Sequence, residues 1–253
     1  MTFPRVLVPD LGVLPNARLI PTESTLWYLR HVLRLGAGAS VLVVDGAGQP
    51  WTAKLVEGAA GLEFLILEPN PSARVVISQL QIELIIALLK GDKTEIAIQK
   101  ATELGVSAIR VVMCERSIPR IKPAEITKKL DRFAKVAMEA TRQCGQATQP
   151  EISLDLSLEE AISKVNSALP RFVLDERGGA HSLAGQLANL EKPVKGVVLA
   201  VGPEGAHSDR ERLLLEKMGF QPAGLGPRVL KAETAGIVAV AISQTIIGDM
   251  GTI

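Results

Sequence analysis

The chain has 253 residues, a formal net charge of +1, 47% hydrophobic and 22% charged residues, which is the composition of a soluble globular protein rather than a disordered one. Two cysteines, Cys114 and Cys144, with no CxxC or Cys/His spacing, exclude a disulfide framework and a cysteine-held metal. The longest apolar run, around Ile82 to Leu89, falls short of the ~20 residues a membrane helix needs, and MTFPRVLVPD carries no signal-peptide pattern, so the expectation is a reduced, cytoplasmic protein with neither metal nor membrane partner.

Residues 1–70 read as a small β-rich unit. Short apolar or alternating runs begin at Arg5, Ser40, Trp51 and Glu63, separated by glycine and proline. Asp45-Gly46 with Gly48 predicts a hairpin turn between two of them. One helix is expected from Thr22 to about Arg34, with Leu26, Leu29, Val32 and Leu33 on its apolar side. Asn70-Pro71-Ser72 then reads as a linker.

From Val75 the pattern changes to alternating strand and helix, the sign of an α/β domain. Ile82 to Lys90 predicts a strand. The following helix is expected to be capped by Asp92, with Glu95 at the capping-box position, and to stop at Gly105. Ala108 to Cys114 predicts the next strand, with Glu115-Arg116-Ser117 at its carboxyl end. Lys90, Arg116 and Ser117 are the polar residues placed near a strand-end site; capping or solvated surface is the plain alternative for each. A long helix follows from Pro123 to about Arg142, where Ile126, Leu130, Phe133 and Ala137 recur at helical spacing.

Charge is unevenly spread. Residues 73–150 carry 13 basic against 8 acidic residues, while 1–72 and 151–253 are slightly acidic. Arg116, Arg120, Lys122, Lys128, Lys129 and Arg132 form either a solvated helix face or a nucleic-acid-binding one.

Ser157 with Glu160 starts a helix expected to end near Leu169-Pro170. Arg171 to Asp175 reads as a strand and Leu183 to Leu190 as a short helix. The informative stretch is Val197 to Gln244. VVLAV is a buried-strand run ending in GPEG; Ser208 and Glu211 form a capping box, and Gly219 stands where a left-handed helix stop is wanted. Leu225-Gly-Pro-Arg-Val-Leu-Lys then makes a second glycine turn before a small-residue helix from about Ala232. Two glycine turns at strand carboxyl ends predict a cleft lined by backbone. Neither a GxGxxG fingerprint nor a P-loop is present.

GPEG with its serine and glutamate, LGPRVLKAETA at this distance, and KGDKTEIAIQKATELGVSAI followed by ERS together resemble the RsmE-type small-subunit (16S) ribosomal RNA uridine N3-methyltransferases of the SPOUT superfamily. The resemblance runs over nearly the whole chain. It implies a PUA-like, RNA-binding β-barrel over 1–72 and, over 73–253, a mainly parallel α/β methyltransferase domain with a trefoil knot, assembled as a homodimer and using S-adenosylmethionine (SAM). By matching position, loops 174–178, 199–205 and 225–234 would surround the cofactor through Leu174, Leu199, Gly202, Pro203, Glu204, Gly205, Leu225, Gly226, Leu230 and Thr234. Ribosomal RNA or the small subunit is the implied partner, with Arg5, Arg34, Arg116, Arg120, Lys128 and Arg132 as its contacts.

The chain departs from the family pattern at four places. Tyr28 stands at the histidine position of the HxxxVLR pattern; Arg142 and Gln146 stand where an acidic residue and an arginine are common; Ala206-His207 replaces a glycine and an apolar residue. Methylating N3 of uracil requires a neutral imide N–H to lose its proton and an unpaired or flipped base. Arg142 or Arg228 is expected to stabilise the developing anion, Gln143 to orient the base edge, and Glu233 either to accept the proton or to complement the dipole of the last helix. The departures also admit a non-catalytic RNA-binding or ribosome-assembly protein of the same fold, or a methylase of another RNA.

Overall fold

Runs that alternate and runs that are apolar throughout divide the chain as they divide sheets with one and two covered faces. The structure, a computed structural model, describes residues 3–8, 15–45, 48–59, 61–73, 75, 77–175 and 181–251. The chain falls into two compact units, residues 1–77 with 141–148, and residues 78–140 with 149–253.

The first unit is built on β1 (Arg5–Val8), β2 (Arg18–Leu19), α1 (Glu23–Trp27), β3 (Ser40–Asp45), β4 (Pro50–Gly58) and β5 (Gly61–Pro69). The strand order is β1-β3-β4-β5-β2, with β1 parallel to β3 and the other pairs antiparallel. Phe64, Ile66, Leu55 and Leu29 fill its core. The expected helix is not one α-helix: α1 passes at Tyr28 into a π turn ending at Val32, closed by the Leu33 N–H donating to the Tyr28 carbonyl at 3.0 Å. Gly46 of the predicted hairpin turn lies outside the described residues. Gly48 takes φ +78° and its N–H donates to the Asp45 carbonyl at 3.0 Å.

The second unit runs β6 (Gln81–Ala87), α2 (Lys93–Glu103), β7 (Ala108–Val112), α3 (Ile126–Cys144, its last turn counted with the first unit), β8 (Glu151–Asp155), α4 (Leu158–Ser163), β9 (Arg171–Leu174), β10 (His181–Ser182), α5 (Leu183–Ala188), β11 (Gly196–Val201), α6 (Asp209–Lys217), β12 (Gln221–Gly224) and α7 (Ala232–Ile247). Its seven strands are ordered β10-β12-β9-β11-β6-β7-β8, and every described pairing is parallel. β11 is buried along its full length because it lies between β9 and β6 under covered faces. α7 lies on this sheet: a Cβ on Gly236 would meet Ile86 at 3.4 Å, and Ala239 is fully buried. The small residues of α7 therefore serve helix-on-sheet packing within the chain.

Several local expectations are corrected. Asp92 makes no side-chain cap on α2. Its backbone stays in the helical region, and the preceding turn is held by Thr94 Oγ1, which accepts from the Leu89 N–H at 2.9 Å. Glu95 pairs instead with Arg132 at 2.7 Å and Lys129 at 3.7 Å. Ser157 does cap α4, accepting from the Glu160 N–H at 3.2 Å, but the helix ends at Ser163 rather than near Leu169. β8 and β12 were not predicted. Gln221-Pro-Ala-Gly has no strand propensity, and its pairing with β9 and β10 supplies what the sequence lacks.

Candidate functional site

At the carboxyl ends of β9, β11 and β12 lies a cavity of about 570 Å³, the usual position and size for a ligand site in a parallel sheet. Leu174 and Asp175 follow β9, Gly202 to Glu204 follow β11, and Leu225 to Lys231 follow β12. Thus Leu174, Gly202, Pro203, Glu204, Leu225, Gly226, Leu230 and Arg228 line one space, although sequence separates them by up to 56 residues. Residues 176–178 of the first predicted loop lie outside the described residues.

Three of the expected cofactor residues are placed elsewhere. Leu199 sits two residues inside β11, in register between Leu84 and Phe172, so its side chain belongs to the core. Gly205 is exposed and lies under the Arg116 side chain. Thr234 is exposed on the first turn of α7, whose Ala232 and Ala235 reach the cavity instead. His207 lines the cavity as well, while Arg212, Glu216 and Phe220 are lining residues that the sequence does not single out. The strand-end rule points to β12's turn, but not to which face of α6 returns over it.

The GPEG turn is held from several sides. Gly202 has no room for a side chain, since a Cβ would stand 3.0 Å from both the His207 backbone nitrogen and its Nδ1. Lys93 Nζ donates to Glu204 Oε1 at 3.1 Å, and Arg116 Nη1 donates to the Gly205 carbonyl at 3.2 Å. The predicted capping box is formed: Ser208 Oγ accepts from the Glu211 N–H at 3.1 Å and Glu211 Oε2 from the Ser208 N–H at 2.9 Å. Glu211 Oε1 also accepts from the Glu115 N–H at 2.8 Å, tying the loop after β7 to the start of α6.

Burial sets the electrostatics here. His207 is 4% exposed, and its Nε2 is buried without a hydrogen-bond partner among the described residues. Desolvation pushes its pKa below the ordinary histidine value. Burial raises the Glu204 carboxyl, but hydrogen bonds from its own backbone and from Lys93 outweigh that and leave it below the usual range. The Cys114 thiol is driven up by burial and by the neighbouring Glu211 carboxylate, which leaves it inert.

The other expected catalytic residues separate. Arg228 is exposed at the cavity. Glu233 stands in the first turn of α7 and does not line the cavity; its Oε2 is buried without a partner among the described residues. Arg142 and Gln143, on the last turn of α3, group with the first unit. No cluster of potential metal ligands occurs among the described residues.

Comparison with known proteins matches residues 77–244 to the RNA methyltransferase domain and 21–66 to the RNA methyltransferase PUA domain. The ribosomal RNA small subunit methyltransferase E of Synechocystis sp. is 33% identical over 95% of this chain and 77% of its own length. The chain belongs to the ribosomal RNA small subunit methyltransferase E family. Among solved structures, the family's enzyme from Neisseria gonorrhoeae, bound to S-adenosyl methionine, is 29% identical with a TM-score of 0.83, over 98% of this chain and 99% of that one. A Legionella pneumophila protein in complex with the cofactor SAM is 27% identical with a TM-score of 0.87, over 99% and 100%.

Within this methyltransferase two departures from the family pattern turn out to be one. The Arg142 guanidinium lies 4.7 Å over the Tyr28 ring, so the aromatic at the histidine position faces the cation at the acidic position. The expected RNA contacts divide. Arg34 and Lys128 are exposed. Arg120 donates to the carbonyls of Glu115 at 2.6 Å and Cys114 at 3.2 Å, and Arg132 pairs with Glu95, so both, like Arg116, hold loops and helices of the methyltransferase itself. Arg5 is half-buried with its guanidinium against Gly145, where a Cβ would stand only 2.2 Å from Nη1.

Proposed function

We propose that this protein transfers the methyl group of SAM to N3 of a uridine in the RNA of the small ribosomal subunit. The observation that carries the reading is the backbone-lined cavity formed by GPEG and LGPRVLK in a chain of this family. Its residues fit the cofactor. Leu174, Pro203, Leu225 and Leu230 offer an apolar slot for a flat purine, and the strand-end turns expose backbone groups to read its edge. SAM, when bound, supplies an electrophilic methyl group on a cationic sulfonium.

The chain's own part is placement and charge. The cavity walls fix the bound methyl in one direction, which favours in-line attack by a held base. Arg228 meets the negative charge that develops at O2 or O4 of uracil as the imide proton leaves. Arg142, steadied on Tyr28, gives the first unit a positive charge for an RNA phosphate. Glu233 complements the amino-terminal dipole of α7, because it stands in the first turn and off the cavity lining. Residues 1–72 serve as the PUA-like RNA-binding barrel and 73–253 as the methyltransferase domain. The trefoil knot, the homodimer and the cytoplasmic location belong to the same reading.

The test is mass spectrometry of nucleosides from small-subunit RNA of cells with and without the gene. Loss of 3-methyluridine on deletion, and its return with the wild-type gene, is the expected result. Unchanged 3-methyluridine, or loss of a different modified base, would contradict it.

A further inference from the structure

The first unit presents an aromatic where none is needed for its core. Trp27, the last residue of α1, is 60% exposed, and its ring lies 5.4 Å from that of His31 at an interplanar angle of 33°. The two rings stand four residues apart, one helical turn, across the junction of α1 and the π turn. Val32 is 52% exposed beside it. Trp27 is not part of the core of the first unit, which Leu29 of the same segment serves with complete burial.

Two arginines, against the single acid Glu23 one turn before Trp27 on α1, give the segment an excess of positive charge. Arg30, His31 and Arg34 follow Trp27 on the same short segment and all are exposed, with neither arginine paired to an acid among the described residues. Arg34 holds φ +54°, a left-handed backbone that an L-residue adopts at a cost and that turns the chain sharply after the helix. Arg30 reaches across Gly61 at the start of β5. An aromatic plane with free cations around it matches an unpaired nucleotide: the base stacks on the indole and the flanking phosphates meet the guanidinium groups.

We propose that Trp27, backed by His31 and flanked by Arg30 and Arg34, is a stacking platform for an unpaired RNA base, distinct from the methylated one. This rests on the reading of the chain as an RNA methyltransferase, and gives the first unit a recognition element on its own helix. Because a π-face is common to every base, the platform selects strandedness rather than sequence.

Intrinsic fluorescence of the full-length protein tests it. The chain has two tryptophans, and Trp51 is 9% exposed with its Nε1 donating to Asp45 at 3.0 Å, so solution quenching reports Trp27. A ten-nucleotide uridine-rich single strand is expected to quench this emission, and a duplex of the same length to leave it unchanged. Trp27→Ala should weaken binding of the single strand about tenfold, with Trp27→Phe retaining most of it. Arg34→Ala should lower the salt slope of that binding by about 0.7. Wild-type affinity in Trp27→Ala with SAM binding intact would overturn the platform, as would equal quenching by the duplex. A shift of Trp27→Ala toward a smaller assembly, with RNA affinity unchanged, would assign the patch to a second copy and also overturn it. Failure of the wild-type protein to bind SAM would instead remove the underlying reading.

Discussion

At the residue scale, the turn from Gly202 to His207 combines close approach, strain and a buried titratable group. Ala206 takes φ +56°, a conformation costing an L-residue about 1–2 kcal/mol, of which glycine's greater unfolded freedom returns about 0.4–1 kcal/mol. Ala206→Gly should therefore raise stability by about 0.5–1 kcal/mol, read as a melting temperature higher by a few degrees. Gly202→Ala should do the reverse. Its Cβ would press on the His207 backbone nitrogen and Nδ1 at 3.0 Å, which calls for a shift costing about 1–3 kcal/mol. Calorimetric titration should show SAM affinity at least tenfold weaker.

His207 carries a pH signature at the same scale. Its folded pKa lies below the ordinary value of about 6.5 because burial disfavours the cation. The unfolded chain then binds more protons, so the contribution is complete above the unfolded value and is lost as pH falls through the folded one. Glu211 and Asp175 oppose that shift and Arg212 reinforces it. Chemical denaturation between pH 7 and pH 5 should show stability falling in the wild type, with a shallower fall in His207→Leu; equal slopes would show that the imidazole is not the group responsible.

At the element scale, Tyr28 on the π turn and Arg142 at the end of α3 should be energetically coupled through the 4.7 Å cation–π contact. A double-mutant cycle with Tyr28→Leu and Arg142→Leu should return an interaction of about 0.5–2 kcal/mol, and strict additivity would show the contact to be idle. Elements differed in how readable they were. β11, α6 and α7 could be read because VVLAV, the Ser208–Glu211 box and the turn at Gly219 state their local physics unambiguously. β12 could not, since Gln221-Pro-Ala-Gly becomes a strand only through its neighbours. The capping function expected of Asp92 failed for a similar reason: Thr94 holds that turn and Glu95 is drawn to Arg132 and Lys129 from another helix.

At the scale of the whole molecule, strand order does what no local pattern can. Placing β12 beside β9 and β9 beside β11 gathers three turns, distant in sequence, around one cavity. Spacing alone could nominate the turns from the motif, and did so for Gly202, Pro203, Leu225 and Gly226. It could not separate Leu199, which faces the core, from its neighbours at the strand end, nor foresee that Arg116 and Arg120 are engaged by backbone carbonyls. Because Arg228 is exposed and belongs to no helix or strand, Arg228→Ala should leave folding nearly unchanged. Its loss should lower single-turnover methyl transfer by about 10²-fold or more if it stabilises the developing anion.

The most direct measurement is transfer of an isotopically labelled methyl group from SAM to small ribosomal subunits that lack 3-methyluridine, with the product located by mass spectrometry of the digested RNA. The account predicts one labelled methyl on N3 of a single uridine with the wild-type protein, and almost none with Gly202→Ala or Arg228→Ala. Label on another base, or undiminished transfer by both variants, would contradict it.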